Sequence, residues 1–132
     1  MSPAQIAAII ATAQRPREAK ILSRLYGFQI IKGQPILVEA EANIIRQVFQ
    51  ALASPSPLTA TEILTELAET FRKDGVRNRS GQYHSVARLK ALVRPIYASL
   101  IRSEFGNLVR VSNYRSIVSE SVYWAAARKL GK

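Results

Sequence analysis

Apolar positions recur along this chain with the spacing of helices that bury one face. Ile44, Ile45, Val48, Phe49 and Leu52 fall at i, i+1, i+4, i+5 and i+8, one side of a 3.6-residue period. The same spacing returns at Ile63, Leu64, Leu67, Ala68 and Phe71, and again at Val122, Tyr123, Ala126, Ala127 and Leu130. The first pattern predicts a helix over 39–53. Ser54-Pro55-Ser56-Pro57 is a stiff connector too short to separate domains, so the first two helices should pack on each other. Thr59 with Glu62 has the spacing of a capping box, and Gly75 ends the second helix. Ser119 caps the last helix and Gly131 closes it. Between them a further helix is expected from Tyr83 or His84 to Val93, stopped by Arg94-Pro95, with Val86, Leu89, Leu92 and Val93 facing the core. Phe49, Leu67 and Leu89 should then share one core.

Elsewhere the period shortens. Tyr26–Val38 is rich in β-formers around Lys32-Gly33, which predicts a small hairpin whose return strand, bearing Pro35, lies at an edge. Leu100–Phe105 and Leu108–Val111 flank Gly106-Asn107, a candidate two-residue hairpin turn. At the N-terminus Ser2-Pro3 reads as a helix start, and Ile6, Ile9, Ile10 and Ala13 form one stripe. Arg15-Pro16 interrupts it and Arg17–Leu25 resumes as a second helical piece. The fold class expected is α+β, mostly helical, a helix-turn-helix core braced by small β-hairpins. Residues 1–24 form a helical extension and 25–132 the domain proper. The extension's apolar stripe needs cover, from this domain or from a second copy of the chain or another protein.

Charge sharpens this picture. The chain of 132 residues has a formal net charge of +10, and the charge is unevenly placed. From Arg72 to Arg102 there are eight cations (Arg72, Lys73, Arg77, Arg79, Arg88, Lys90, Arg94, Arg102) against one acid, Asp74. From Glu39 to Phe71 five glutamates face Arg46 alone. A basic turn and helix after an acidic, leucine-rich helix pair suits a helix-turn-helix, whose last helix carries cations to a phosphate backbone. The DNA-contacting set expected is those eight cations with His84 and Ser85. Arg88 would enter the major groove, and Arg77 and Arg79 would hold phosphates. The alternative is that these are solvated charges on an ordinary helix.

His84, the one histidine, is open to three roles: reading a base, touching a phosphate, or an exposed or capping position. Tyr83 either stacks on a sugar or packs on the second helix, and Trp124 reads as core or interface. Catalysis finds little support. Cysteine is absent, Asp74 is the one aspartate, and no glycine-rich phosphate loop occurs. Neither a metal nor a cofactor is expected. No apolar run approaches the ~20 residues of a membrane span, and a cytoplasmic, non-enzymatic protein is expected.

In this order of elements the chain resembles the recombinase domain of large serine recombinases, the DNA-binding module that follows their catalytic domain. Leu25-Tyr26-Gly27-Phe28 matches the family's Pro-Tyr-Gly-Tyr opening with leucine for proline, and a hairpin and a glutamate-led helix (Glu41, Val48-Phe49) follow. Thr59–Arg79 corresponds to its next helix and basic turn, Tyr83-His84 to its aromatic-Ser, and Arg94–Ser99 to its Asn-Pro-x-Tyr-Ala-Gly. Tyr114-Arg115-Ser116-Ile117-Val118-Ser119 corresponds to its lead into the last helix. Arginine at 94, serine at 99 and tyrosine at 83, where tryptophan is common, depart from the pattern. The likeness runs from Leu25 to Leu130. The family's nucleophilic serine setting has no counterpart in residues 1–24, nor has its cysteine-bearing zinc ribbon here. It implies a winged-helix-like, non-catalytic module for double-stranded DNA, used in site targeting or regulation. The alternative is a protein-interaction or assembly subunit that kept the fold without sequence-specific DNA binding.

Overall fold

A computed structural model describes residues 25–103, 105–111 and 115–132. The expected helical extension, its Ile6, Ile9 and Ile10 surface, and Tyr114 lie outside the described residues. The elements in order are β1 (Phe28–Ile31), β2 (Gln34–Leu37), α1 (Glu39–Ala53), α2 (Ala60–Lys73), α3 (Val86–Ala91), a 3-10 turn (Pro95–Ala98), β3 (Leu100–Arg102), β4 (Leu108–Arg110) and α4 (Glu120–Lys129). The fold is α+β, with helices around one core and two separate antiparallel hairpins.

The first hairpin forms where the pattern put it. Lys32 and Gly33 both take positive φ, 50° and 75°, as the mirror-image turn that matches strand twist requires. Phe28 pairs with Leu37 and Ile30 with Pro35. Before it, Gly27 is held at φ +97°, and a Cβ there would stand 2.7 Å from Ile45 Cδ1 and 2.9 Å from Ile117 Cδ1. Only glycine lets the chain pass this close to α1. The corner is fixed by Tyr97, whose hydroxyl donates to the Tyr26 carbonyl at 2.6 Å.

Each long helix has its own terminus chemistry. Thr59 and Glu62 make the reciprocal capping box of α2. Its far end closes as a Schellman turn, with Val76 N–H on the Phe71 carbonyl (2.9 Å) and Gly75 N–H on that of Arg72 (3.1 Å). α1 packs against α2 and α4, and α3 against α2. Phe49 and Leu89 are fully buried in one cluster, and Leu67 packs against it half-buried. No described helix is long and apolar enough to cross a membrane.

Two elements differ from expectation. α3 begins only at Val86, capped by Ser85, because an antiparallel bridge between Arg77 and Tyr83 keeps the preceding residues extended. It stops at Ala91, and Arg94, before proline, is extended at φ −123°, ψ 141°. In the second hairpin Arg102 pairs with Leu108, and Ser103 N–H extends the ladder to the Asn107 carbonyl at 2.7 Å. A two-residue turn at Gly106-Asn107 would have set Leu108 opposite Phe105, on the other face from Leu100. The observed register keeps Leu100 and Leu108 both against the core.

Candidate nucleic-acid interface

The connection from α2 to α3, residues 74–85, is longer than the three- or four-residue turn of the simple motif. One side chain organises its tip. Asn78 Oδ1 accepts from the N–H of Ser80 and of Gln82, both at 3.0 Å, and from the Ser80 hydroxyl at 2.8 Å. The backbone closes around it, with Asn78 N–H on the Gln82 carbonyl at 2.8 Å and Gly81 N–H on the Asn78 carbonyl at 3.0 Å. A side chain that satisfies several turn amides fixes the loop much as a hairpin ladder would.

This scaffold holds its two arginines differently. Arg77 lies over the Tyr83 ring, Cζ 4.3 Å from the centroid, and donates to the Tyr83 hydroxyl and the Gly81 carbonyl, each at 2.9 Å. Arg72, from the last turn of α2, approaches the same ring at 5.6 Å. Tyr83 is thus a half-open platform beneath two guanidinium groups, one of them from the end of α2. Arg79 turns the other way. Its Nε and Nη2 donate to both oxygens of Glu41, at 2.7 and 2.5 Å, and Nη2 also reaches the carbonyls of Phe28 (2.6 Å) and Leu25 (3.2 Å). The Glu41 hydrogen bond holds the Arg79 pKa above its ordinary value.

Arg79 therefore departs from its expected place at a phosphate, because its fork is already occupied by a carboxylate 15% exposed and by backbone acceptors. His84 departs as well. It is 7% exposed, edge-on to Tyr26 and Phe71, with Nε2 3.5 Å from the Tyr26 hydroxyl. Burial first, and Arg88 second, push its pKa down, so it is neutral at pH 7 and contributes no charge to the surface.

Leu89 and Val93, both buried, pin α3 to the core and leave Ser85, Arg88 and Ala91 exposed. Ser85 is committed as cap, its hydroxyl accepting from Arg88 N–H at 3.2 Å. Arg88 donates from Nη2 to Gln82 Oε1 at 2.6 Å. Lys90 leans back to the Thr61 hydroxyl at 3.0 Å. Lys73 and Arg94 are exposed, and their side chains make no hydrogen bond or ion pair among the described residues. Arg102 sits apart, on β3, and donates to the Gly106 carbonyl of its own hairpin.

The ion pairs among the described residues involve Arg46, Arg79, Arg110 and Arg115 with Glu39, Glu41 and Glu120. None involves Arg72, Lys73, Arg77, Arg88, Lys90 or Arg94. The structure thus brings those six cations onto consecutive elements with no ion pair among the described residues. Asn78 and Gln82 order the turn that carries them, polar residues that charge counting passes over. The Asn-x-Ser-Gly run around Asn78 is a turn signature, but Gln82 carries no sequence signal.

No family model matches this chain, and no curated protein does. Four solved chains match in structure. One, from the crystal structure of an LSR–DNA complex (LSR, large serine recombinase), superposes with a TM-score of 0.60 at 16% identity, over 82% of this chain and 31% of that chain. At that identity the likeness is one of fold: this chain has the architecture of a part of that recombinase.

Proposed function

We propose that this chain is a non-catalytic module that binds double-stranded DNA through α2, the ordered turn and α3, in site targeting or regulation of the kind a recombinase domain performs. The observation that carries this is the set of six cations on consecutive elements without an ion pair among the described residues, where Arg46, Arg79, Arg110 and Arg115 each have one. The neighbour's having been crystallised with DNA supports the same reading. Arg72, Lys73, Arg77 and Arg94 would meet phosphates, and Arg88, in the first turn of α3, would reach base edges. Such a protein would be cytoplasmic and associated with the nucleoid.

The test is a salt titration of duplex binding. With about four to six phosphates contacted, log affinity should fall against log salt at roughly −0.9 per phosphate. Affinity indifferent to salt between low and physiological strength would sink the proposal. The protein-interaction reading draws on exposed apolar side chains, Phe105 above all, with Ile31, Ile36 and Trp124. Stable capture of one defined protein, with duplex affinity no better than an unrelated basic protein shows, would favour it.

A further inference from the structure

We infer that Gln82 is a positioning residue that presets Arg88 to read a guanine in the major groove. This rests on the DNA-binding reading and adds a base and a mechanism to it. Arg88 is an arginine on a six-residue helix, with a long side chain that would be mobile if nothing held it. One contact does. Its Nη2 donates to Gln82 Oε1 at 2.6 Å, and Gln82 is itself fixed, its N–H on Asn78 Oδ1 (3.0 Å) and its carbonyl on Asn78 N–H (2.8 Å). The Arg88 backbone is fixed by the Ser85 cap and by the buried Leu89 next to it. Both ends of the contact are therefore rooted in ordered backbone, and buried His84 lies between them in sequence.

A guanidinium has five N–H donors, arranged so that two edges each present two parallel hydrogens. Nη2 carries two hydrogens, and giving one to Gln82 leaves one of those edges whole. Guanine alone offers two adjacent acceptors, O6 and N7, in the major groove; adenine sets a donor beside its N7. A held two-donor edge therefore selects guanine. Glutamine suits the holding role because it accepts the bond without cancelling the charge that draws the phosphates. This differs from Glu41 at Arg79, where the carboxylate takes both donors of one edge and neutralises the charge.

The test is enrichment of duplexes from a randomised pool, read by sequencing, with affinity for random duplex measured alongside. Wild-type protein should enrich a site with one guanine that Arg88→Ala no longer selects. Loss of that contact should reduce discrimination at the position about 5- to 150-fold. Gln82→Ala should weaken the same preference about three- to tenfold, a fraction of the Arg88 effect, and leave random-duplex affinity within about twofold, since no phosphate contact is removed. Gln82→Glu should restore the preference while weakening binding to every duplex. In an Arg88→Ala background, Gln82→Ala should add nothing. Undiminished guanine in the Gln82→Ala pool would overturn the inference, as would an Arg88-dependent position that prefers another base. No sequence enrichment by the wild type, with salt-dependent duplex binding intact, would overturn it and leave the DNA-binding reading standing. Absence of duplex binding would remove both.

Discussion

Arg77 and Arg79 stand two residues apart in one turn and have opposite surroundings. Arg79 closes on Glu41 and on the carbonyls of Leu25 and Phe28, tying the turn to the corner where β1 begins. Arg77 closes on Tyr83 and Gly81, within the turn itself, and meets no carboxylate. Arg77 lies in the bridge with Tyr83, whereas Arg79 lies beyond it in the turn closed by Gly81 N–H on the Asn78 carbonyl, and this reversal of the chain gives the two side chains different partners. One face meets the acidic start of α1 and the other meets solvent. The difference teaches that charge in a basic segment divides into a part that holds the platform and a part that remains for a ligand, and that the division follows backbone geometry.

The comparison is broken most directly at Arg79. Arg79→Ala strands Glu41 in a site that solvent hardly reaches and removes donors from two backbone carbonyls. Breaking a buried pair costs about 3–5 kcal/mol, and since 36% of the Arg79 side chain is exposed, about 2–3 kcal/mol is expected here. Arg79→Lys should recover little, because a single ammonium cannot span both carboxylate oxygens. Urea unfolding of the two variants checks this. An unchanged midpoint for Arg79→Ala would make the pair a surface decoration and erase the contrast with Arg77.

Arg77→Ala sharpens it from the other side. Its partners are an exposed carbonyl and a half-exposed hydroxyl, which water can satisfy, so stability should change by less than about 1 kcal/mol. Binding to specific and random duplex should weaken alike, and the salt slope should flatten by about one unit. A stability loss equal to that of Arg79→Ala would place both arginines in the same structural role. Unchanged duplex binding would assign the phosphate contacts to Arg72, Lys73 and Arg94.

Much of the fold was legible because helix and cap chemistry are local. The period of Ile44–Leu52, the Thr59–Glu62 box, the Gly75 stop and the Lys32-Gly33 turn each depend on neighbours within a few residues. What was not legible depends on contacts across the chain. Nothing near Arg79 announces Glu41, 38 residues earlier. His84 looks like a polar residue ahead of a basic helix until Tyr26 and Phe71 are folded over it. The β3–β4 loop was misplaced because glycine-asparagine is a strong local turn signal, and the core's demand for Leu100 and Leu108 on one face overrides it. The basic character of the segment was plain from composition; which cations stay unpaired was decided by packing.

His84 gives the finest probe of the same division, since it lies on the inner side with Arg79. Its ring meets Tyr26, whose own ring lies 5.8 Å from the Arg79 guanidinium, and Phe71, and the charged group that acts on it is Arg88. Burial and that positive charge both disfavour imidazolium, so the folded-state pKa lies below the ordinary 6.5. The unfolded chain therefore takes up the proton first as pH falls. The native state should keep its full stability above about 6.5 and lose it progressively below, towards the folded pKa. Glu62 and Glu120, whose pKa values are also lowered from 4.5, act in a separate window beneath that value. Thermal unfolding between pH 7.5 and 5.5 should therefore show a falling midpoint for the wild type and a flatter one for His84→Gln. Duplex binding at pH 7 should be indifferent to the same substitution beyond its effect on folding, because a neutral, covered imidazole offers a phosphate nothing. A flat wild-type profile, or loss of DNA affinity in folded His84→Gln, would put the histidine on the outer face with Arg77.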